Sequence, residues 1–203
     1  MKLYNSVGPN PQVVRTFMAE RGITIEMENV DIIAGVNRAA PFLAINAGGQ
    51  LPVLALDDGS IVTEITAICE YLDETHPGAS LIGATPEERA QTRRWMRWAD
   101  LNVVDPITTS FRGAEGLPLF KDRLRCLPEA AAGLKAMVQD SLRWLDTQMI
   151  GKAYLAGDRF SLADIVLFSF VAFGESVGQA RNPEFANIDA WFARVKSRKS
   201  ASA

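Results

Sequence analysis

The sequence predicts an α/β first part followed by an all-helical second part. Strand-like and helix-like patterns alternate up to the helix that carries Leu72, and a cluster of turn residues, Glu74-Thr75-His76-Pro77-Gly78-Ala79-Ser80, closes that part. Beyond it only helical periodicity recurs. The 203 residues suffice for one large domain or two small ones, since domains commonly hold roughly 100–150 residues. The turn cluster favours two, at residues 1–76 and 84–203.

Lys2-Leu3-Tyr4-Asn5 reads as a short strand, followed by the irregular Val7-Gly8-Pro9-Asn10-Pro11. Val13, Val14, Phe17 and Met18 then recur at helical spacing until Gly22 stops the helix, and Ile23, Ile25 and Met27 alternate as a second strand. The stretch from about Ile32 to Gly49 is polar and broken. Leu51-Pro52 stands at the mouth of the apolar run Val53-Leu54-Ala55-Leu56, where proline, lacking an N–H, can only begin a strand. Asp58-Gly59 supplies a hairpin turn, Ile61-Val62 returns, and Glu64 opens a helix with Ala67, Ile68, Tyr71 and Leu72 on its apolar side. Open backbone groups before Pro52, and bare N–H groups at the helix start beside Glu64, suit a peptide-like ligand with its carboxylate at the positive helix end.

In the second part, Thr85-Pro86-Glu87-Glu88 is a capping box that launches a long helix through Trp95, Trp98 and Asp100, which Pro106 must kink or end. Another helix starts at Pro128, with Leu134, Met137, Leu142, Leu145 and Met149 on its buried side and Gly151 closing it. Phe160-Ser161-Leu162-Ala163-Asp164-Ile165 is a second N-terminal box, whose role is folding despite the tempting Ser161 and Asp164 pairing. A final helix spans about Ile188 to Val195, and the short Ser-Ala tail after Lys199 is expected to fray.

Lys and Arg number 21 against 24 Asp and Glu, with no basic run, which argues against nucleic acid as a partner. No window approaches the ~20 apolar residues of a membrane span, and the N-terminus lacks the apolar stretch of a signal peptide; a cytoplasmic protein is expected. Cys69 and Cys126 stand alone, outside any metal or redox spacing, and His76 has no neighbouring ligand-type residues, so no metal is expected.

Taken together, Leu51-Pro52, the hairpin, and the Thr63-Glu64, Ala67-Ile68 and Tyr71-Leu72 pairs closely resemble the glutathione-binding half of the glutathione transferase superfamily. The resemblance runs from Met1 to about Arg198 and implies a thioredoxin-like N-terminal domain followed by an all-α C-terminal domain. It also implies glutathione as co-substrate, an electrophilic small molecule as its partner and a homodimer. In that family the proline is cis, the residue before it, here Leu51, pairs its backbone with the cysteinyl part of glutathione, and Glu64 with the helix start takes the γ-glutamyl end. Ile65 stands where the family usually carries serine, so its N–H remains but a hydroxyl is lost unless Thr66 supplies one. The resemblance places Gln50, and with it Asn37, at the glycine end, and makes Asp100 the acidic residue that reaches the γ-glutamyl amine from the neighbouring subunit.

A transferase must lower the pKa of the glutathione thiol with hydrogen-bond donors or positive charge. Matching Arg15 to the arginine of the family's Ser/Cys-x-x-x-x-Arg pattern puts Asn10 at the sulfur-contacting position, and Ser6 and Tyr4 are competing donors. An asparagine amide can donate to sulfur but forms no covalent intermediate. Asn10 there resembles bacterial nu-class-like enzymes, whose activities include disulfide reduction and peroxidase work; the alternative, that Asn10 only organises a Pro-Asn-Pro turn, stays open. The second substrate is expected against the 105–120 segment, between the domains, with Phe111, Arg112 and Phe120 as its walls. A disulfide reductase or peroxidase, or a non-enzymatic glutathione- or ligand-binding module, are the competing functions.

Overall fold

The computed structural model describes residues 1–203 except the side chain of Ser202. The chain divides into two compact units, Met1–Leu81 with Lys199–Ala203, and Ile82–Arg198. The first unit is thioredoxin-like. Its elements are β1 (Lys2–Asn5), α1 (Pro9–Arg21), β2 (Glu26–Asn29), a 3-10 turn (Val36–Arg38), α2 (Ala40–Leu43), β3 (Val53–Ala55), β4 (Ile61–Val62) and α3 (Ile65–Thr75). The sheet order is β2-β1-β3-β4, with β1 and β2 parallel and the other two pairings antiparallel. Leu3, Val13, Val14, Phe17, Val53, Leu54, Ile68 and Leu72 are fully buried, each worth roughly 1.5–3 kcal/mol of transfer free energy.

Local chemistry explains the element ends. Gly22 takes φ 64° and closes α1, and Ile23 donates back to Met18 at 2.9 Å. Gly59 takes φ 87° in the hairpin, where Asp58 Oδ1 accepts from the Ser60 N–H at 2.9 Å. The broken 32–49 stretch carries the 3-10 turn and the four-residue α2, both too short to leave a periodic pattern. Met27 is exposed, with all of β2, because that strand forms a sheet edge. On α3 the buried residues are Ile68, Cys69 and Leu72; Ala67 faces solvent, and burial pushes the Cys69 thiol pKa up. Lys199–Ser202 forms a 3-10 turn that packs against α1, where Ser200 bonds Glu20. The same unit holds a buried ion pair, Arg21 with Asp73.

The second unit contains α4 (Pro86–Ala99), a π-helical stretch (Asp100–Val104), α5 (Asp105–Gly113), α6 (Leu117–Phe120), a 3-10 turn (Pro128–Ala130), α7 (Ala131–Gln148), α8 (Leu162–Ser176) and α9 (Ala186–Lys196). The π stretch is the outcome of Pro106: a ring without an N–H cannot continue the i to i−4 ladder, and the Asp105 N–H reaches Asp100 O instead. On α7 the buried stripe is Ala131, Val138, Leu142 and Leu145, whereas Met137, expected inside, is exposed because it lies a third of a turn off that stripe.

Residues 162–171 of α8 are buried on every side, which marks it as the central helix of this unit. Its Asp164 carboxylate, fully buried, accepts from the Ser161 N–H at 3.0 Å, the Leu155 N–H at 2.9 Å and Trp191 Nε1 at 2.9 Å. Burial raises its pKa despite those donors. The folded chain therefore holds this proton more tightly than the unfolded one, so the group's contribution to stability falls as pH rises from the ordinary carboxylate value through the raised one. Asp164→Asn should remove that pH-dependent part in denaturation curves recorded at several pH values. It should also cost about 1–3 kcal/mol at neutral pH, because an amide N–H₂ would face the Ser161 N–H.

Candidate functional site

Strand register brings several chain segments to one edge of the sheet. Tyr4, next to the end of β1, pairs with Val53 at the start of β3, and Leu54 pairs with Val62 at the end of β4. The loop after β1, the Leu51-Pro52 approach to β3 and the Thr63-Glu64 exit from β4 therefore all leave the sheet at that edge. Parallel β2 ends there too, at Asn29.

The loop after β1 is fixed by neutral partners around a cation. Arg15, half-buried on α1, donates to Asn5 Oδ1 at 2.7 Å, to the Ser6 carbonyl at 3.1 Å and to Gln12 Oε1 at 2.6 Å. Burial lowers its pKa. Ser6 is buried and its hydroxyl donates to the Val30 carbonyl at 2.6 Å, so that proton is already committed. Tyr4 packs edge-on against Phe42 with ring centroids 6.0 Å apart, as part of the core. Asn10 is the second residue of α1, half-buried, and its side-chain amide has no partner among the described residues. It stands between Pro9 and Pro11, which carry no N–H, so its own N–H is an unpaired donor of the first turn. The asparagine thus offers two kinds of donor at a positive helix end.

The Leu51-Pro52 peptide is cis. Leu51 packs against the Val30, Phe42 and Val53 cluster, and its backbone N–H and carbonyl have no partner among the described residues. Gln50 is exposed beside it, and Asn37 is buried with its amide donating to the Gly49 carbonyl at 2.7 Å. Glu64 is the only non-glycine residue with positive φ among the described residues, at 69°, and it caps α3 without a side-chain bond to the helix. Such a backbone costs on the order of 1–3 kcal/mol and persists where the surroundings enforce it, commonly at binding sites. Behind it the first-turn N–H groups of Ile65, Thr66 and Ala67 point out of the helix unpaired, and Glu64 is exposed.

In the helical unit, Phe111, Arg112 and Phe120 are neighbours. Phe111 meets Phe120 at 6.0 Å and Phe173 at 5.0 Å, and the Arg112 guanidinium lies 5.8 Å from the Phe120 ring. Asp100, half-buried, opens the π-helical stretch. Sequence reasoning passed over Arg38 and Asn46; Asn46 stands two residues before the Gly48-Gly49 turn, whereas Arg38, ten positions from Gly48, carried no signal in the sequence. No group of His, Cys, Asp and Glu among the described residues could hold a metal ion, and no helix among them is long and apolar enough to cross a membrane.

Residues 7–75 match the family described as "Glutathione S-transferase, N-terminal domain", and residues 117–199 match "Glutathione S-transferase, C-terminal domain". Glutathione S-transferase 2 of Saccharomyces cerevisiae is 31% identical over 98% of this chain and 87% of its own length. A glutathione S-transferase domain-containing protein of Marinobacter aquaeolei superposes with a TM-score of 0.93 at 33% identity, over 99% of this chain and all of the other. A glutathione S-transferase of Methylobacillus flagellatus, solved with glutathione bound, superposes at 0.83 with 25% identity, over 99% of this chain and 96% of the other. A thioredoxin-like unit with a cis-proline loop and an open helix start, joined to an all-helical unit and matched along nearly its whole length, makes this chain a member of the glutathione S-transferase superfamily.

Proposed function

We propose that this chain is a glutathione transferase that binds glutathione along the sheet edge and activates its thiol with Asn10. The observation that carries the reading is the meeting, at one edge, of the unpaired Leu51 backbone, the strained and open start of α3 at Glu64, and the unpartnered Asn10 amide. In this reading the Leu51 backbone pairs with the cysteinyl unit as an added strand would. Glu64 and the N–H groups of Ile65 and Thr66 take the amine and carboxylate of the γ-glutamyl end. Gln50 reaches toward the glycine end, and Asp100 of a second subunit meets the γ-glutamyl amine in a homodimer.

Asn10 then donates to the cysteinyl sulfur, with the half-buried Arg15 cation behind the same loop; both favour thiolate over thiol. The thiolate attacks an electrophilic carbon, the carbon–sulfur bond forms and the leaving group departs with the displaced electron pair. For the electrophile, the residues proposed are Phe111, Phe120 and Arg112 of the helical unit, two neighbouring rings with a charge that suits an anionic group. Because Asn10 cannot itself become covalently attached, attack of the bound thiolate on a disulfide or peroxide is the second reading. The isoleucine at position 65 supports a third, binding without turnover.

The test follows thiolate absorbance of bound glutathione across a pH series. Wild type should ionise the bound thiol below the ~8.5 of an ordinary cysteine. Asn10→Ala should raise that apparent pKa and slow turnover of an aryl halide at neutral pH about tenfold, with affinity for glutathione nearly unchanged. Ser6→Ala should leave the thiol as it is. A shift in the Ser6 variant but not in the Asn10 variant would pass the role to Ser6, and an unperturbed thiol without turnover in wild type would favour the binding module.

A further inference from the structure

The three carbonyls that precede Leu51 are each held by a side chain. Arg38 Nη1 donates to Gly48 O at 3.3 Å, Asn37 Nδ2 to Gly49 O at 2.7 Å and Asn46 Nδ2 to Gln50 O at 3.0 Å. Asn46 also closes the turn from its own side, accepting from the Gly48 N–H at 3.1 Å through Oδ1 and from the Gly49 N–H at 2.8 Å through its carbonyl. The first backbone groups left open after this clamp are those of Leu51.

We infer that Asn37 is a positioning residue for glutathione, acting through the Gly49 carbonyl on the Gln50-Leu51 backbone rather than by touching the ligand. The inference rests on the reading that Leu51 binds glutathione. Three observations support it. Asn37 is only 7% exposed, so little of it is open to a ligand. Its N–H₂ group is already directed at Gly49 O, and turning the amide over would set two acceptors against each other, which fixes the orientation. Its Oδ1 is buried and unpartnered among the described residues, and an acceptor there would repel a glycine carboxylate.

The contact can transmit position because the two backbones touch. Gly49 takes φ 59°, and a Cβ on it would lie 2.8 Å from the Asn37 carbonyl oxygen. The 3-10 turn at Val36–Arg38 therefore sets the height of the loop directly. A buried acceptor left unpaired is costly, and its retention at Asn37 is consistent with a residue kept for the geometry it imposes.

A thermodynamic cycle separates positioning from contact. Glutathione and γ-glutamylcysteine, which lacks the glycine, are titrated by calorimetry into wild type, Asn37→Ala, Asn37→Ser and Gln50→Ala. Both Asn37 variants should weaken the two ligands by the same factor, about tenfold, while kcat at saturating glutathione stays within about twofold of wild type. Gln50→Ala should weaken glutathione alone. If the Asn37→Ala chain fails to fold, Asn37→Ser carries the same expectation. A loss confined to glutathione would show that Asn37 touches the glycine end, and no loss for either ligand would remove its role; both results overturn the inference. Wild type binding neither ligand would instead overturn the glutathione reading itself, and the inference with it.

Discussion

Replacing Asp73 with alanine is expected to destabilise the protein by about 3–5 kcal/mol, the usual consequence of removing one partner of a buried ion pair. The Arg21 and Asp73 side chains are 2% and 6% exposed. The Asp73 carboxylate accepts from Arg21, from the Ser80 hydroxyl and from the Leu81 N–H at 3.0 Å, and Arg21 also donates to the His76 carbonyl at 2.9 Å. Together these bonds tie the C-terminal end of α1 to the end of α3 and to the segment that leaves it. Without the carboxylate a guanidinium stays buried with only carbonyl partners. Typical domains have about 5–15 kcal/mol in total, so the loss would be a large share. Denaturant curves should show a lower midpoint with an unchanged slope. Asp140→Ala, which breaks the exposed Arg143 pair at 62% and 72% exposure, should leave the curve where it was. An Asp73→Ala curve that also coincides with wild type would mean that the carbonyls alone satisfy Arg21.

Much of the fold was legible because its signals are local. Gly22, the Asp58-Gly59 turn, the Thr85 cap and the box at Ser161 each determine a boundary through a few adjacent atoms. The 3-10 turn at Val36–Arg38 and α2 were not legible, because neither is long enough to show periodicity. Met137 shows the limit of hydrophobic patterning: its side chain is apolar, but the stripe that the packing selects runs through Val138 and Leu142. The π-helical stretch was legible only as a disturbance at Pro106.

The candidate site divides in the same way. Leu51, Pro52 and Glu64 stood out because proline position and helix start are sequence-local, and register then explains why they share an edge with Asn10. The standing of Ser6 depended on a tertiary bond: its serine chemistry is visible in the sequence, but the Val30 carbonyl that occupies its hydroxyl is 24 positions away. Arg38 and Asn46 looked like ordinary loop polars for the same reason, and Asn37 stood out only through the family resemblance, at the glycine end. Their partners are backbone carbonyls, which every residue possesses and no motif marks.

Glu64→Ala is expected to weaken glutathione binding by about 1.5–3 kcal/mol, roughly 10- to 150-fold in Kd, through loss of a charge-assisted bond to the γ-glutamyl amine. The fold should survive, since the Glu64 side chain is exposed and caps nothing. The backbone is a separate matter. At φ 69° an alanine keeps the strain that glutamate bears, whereas Glu64→Gly would relieve it and stabilise the chain while binding as poorly as Glu64→Ala. That pairing separates the side chain's part in binding from the backbone's part in strain. The most direct measurement is a calorimetric titration of glutathione into folded wild type and folded Glu64→Ala. A dissociation constant raised at least tenfold in the variant is the expected result. Equal constants would contradict the account, because the γ-glutamyl end would then lie somewhere other than the start of α3.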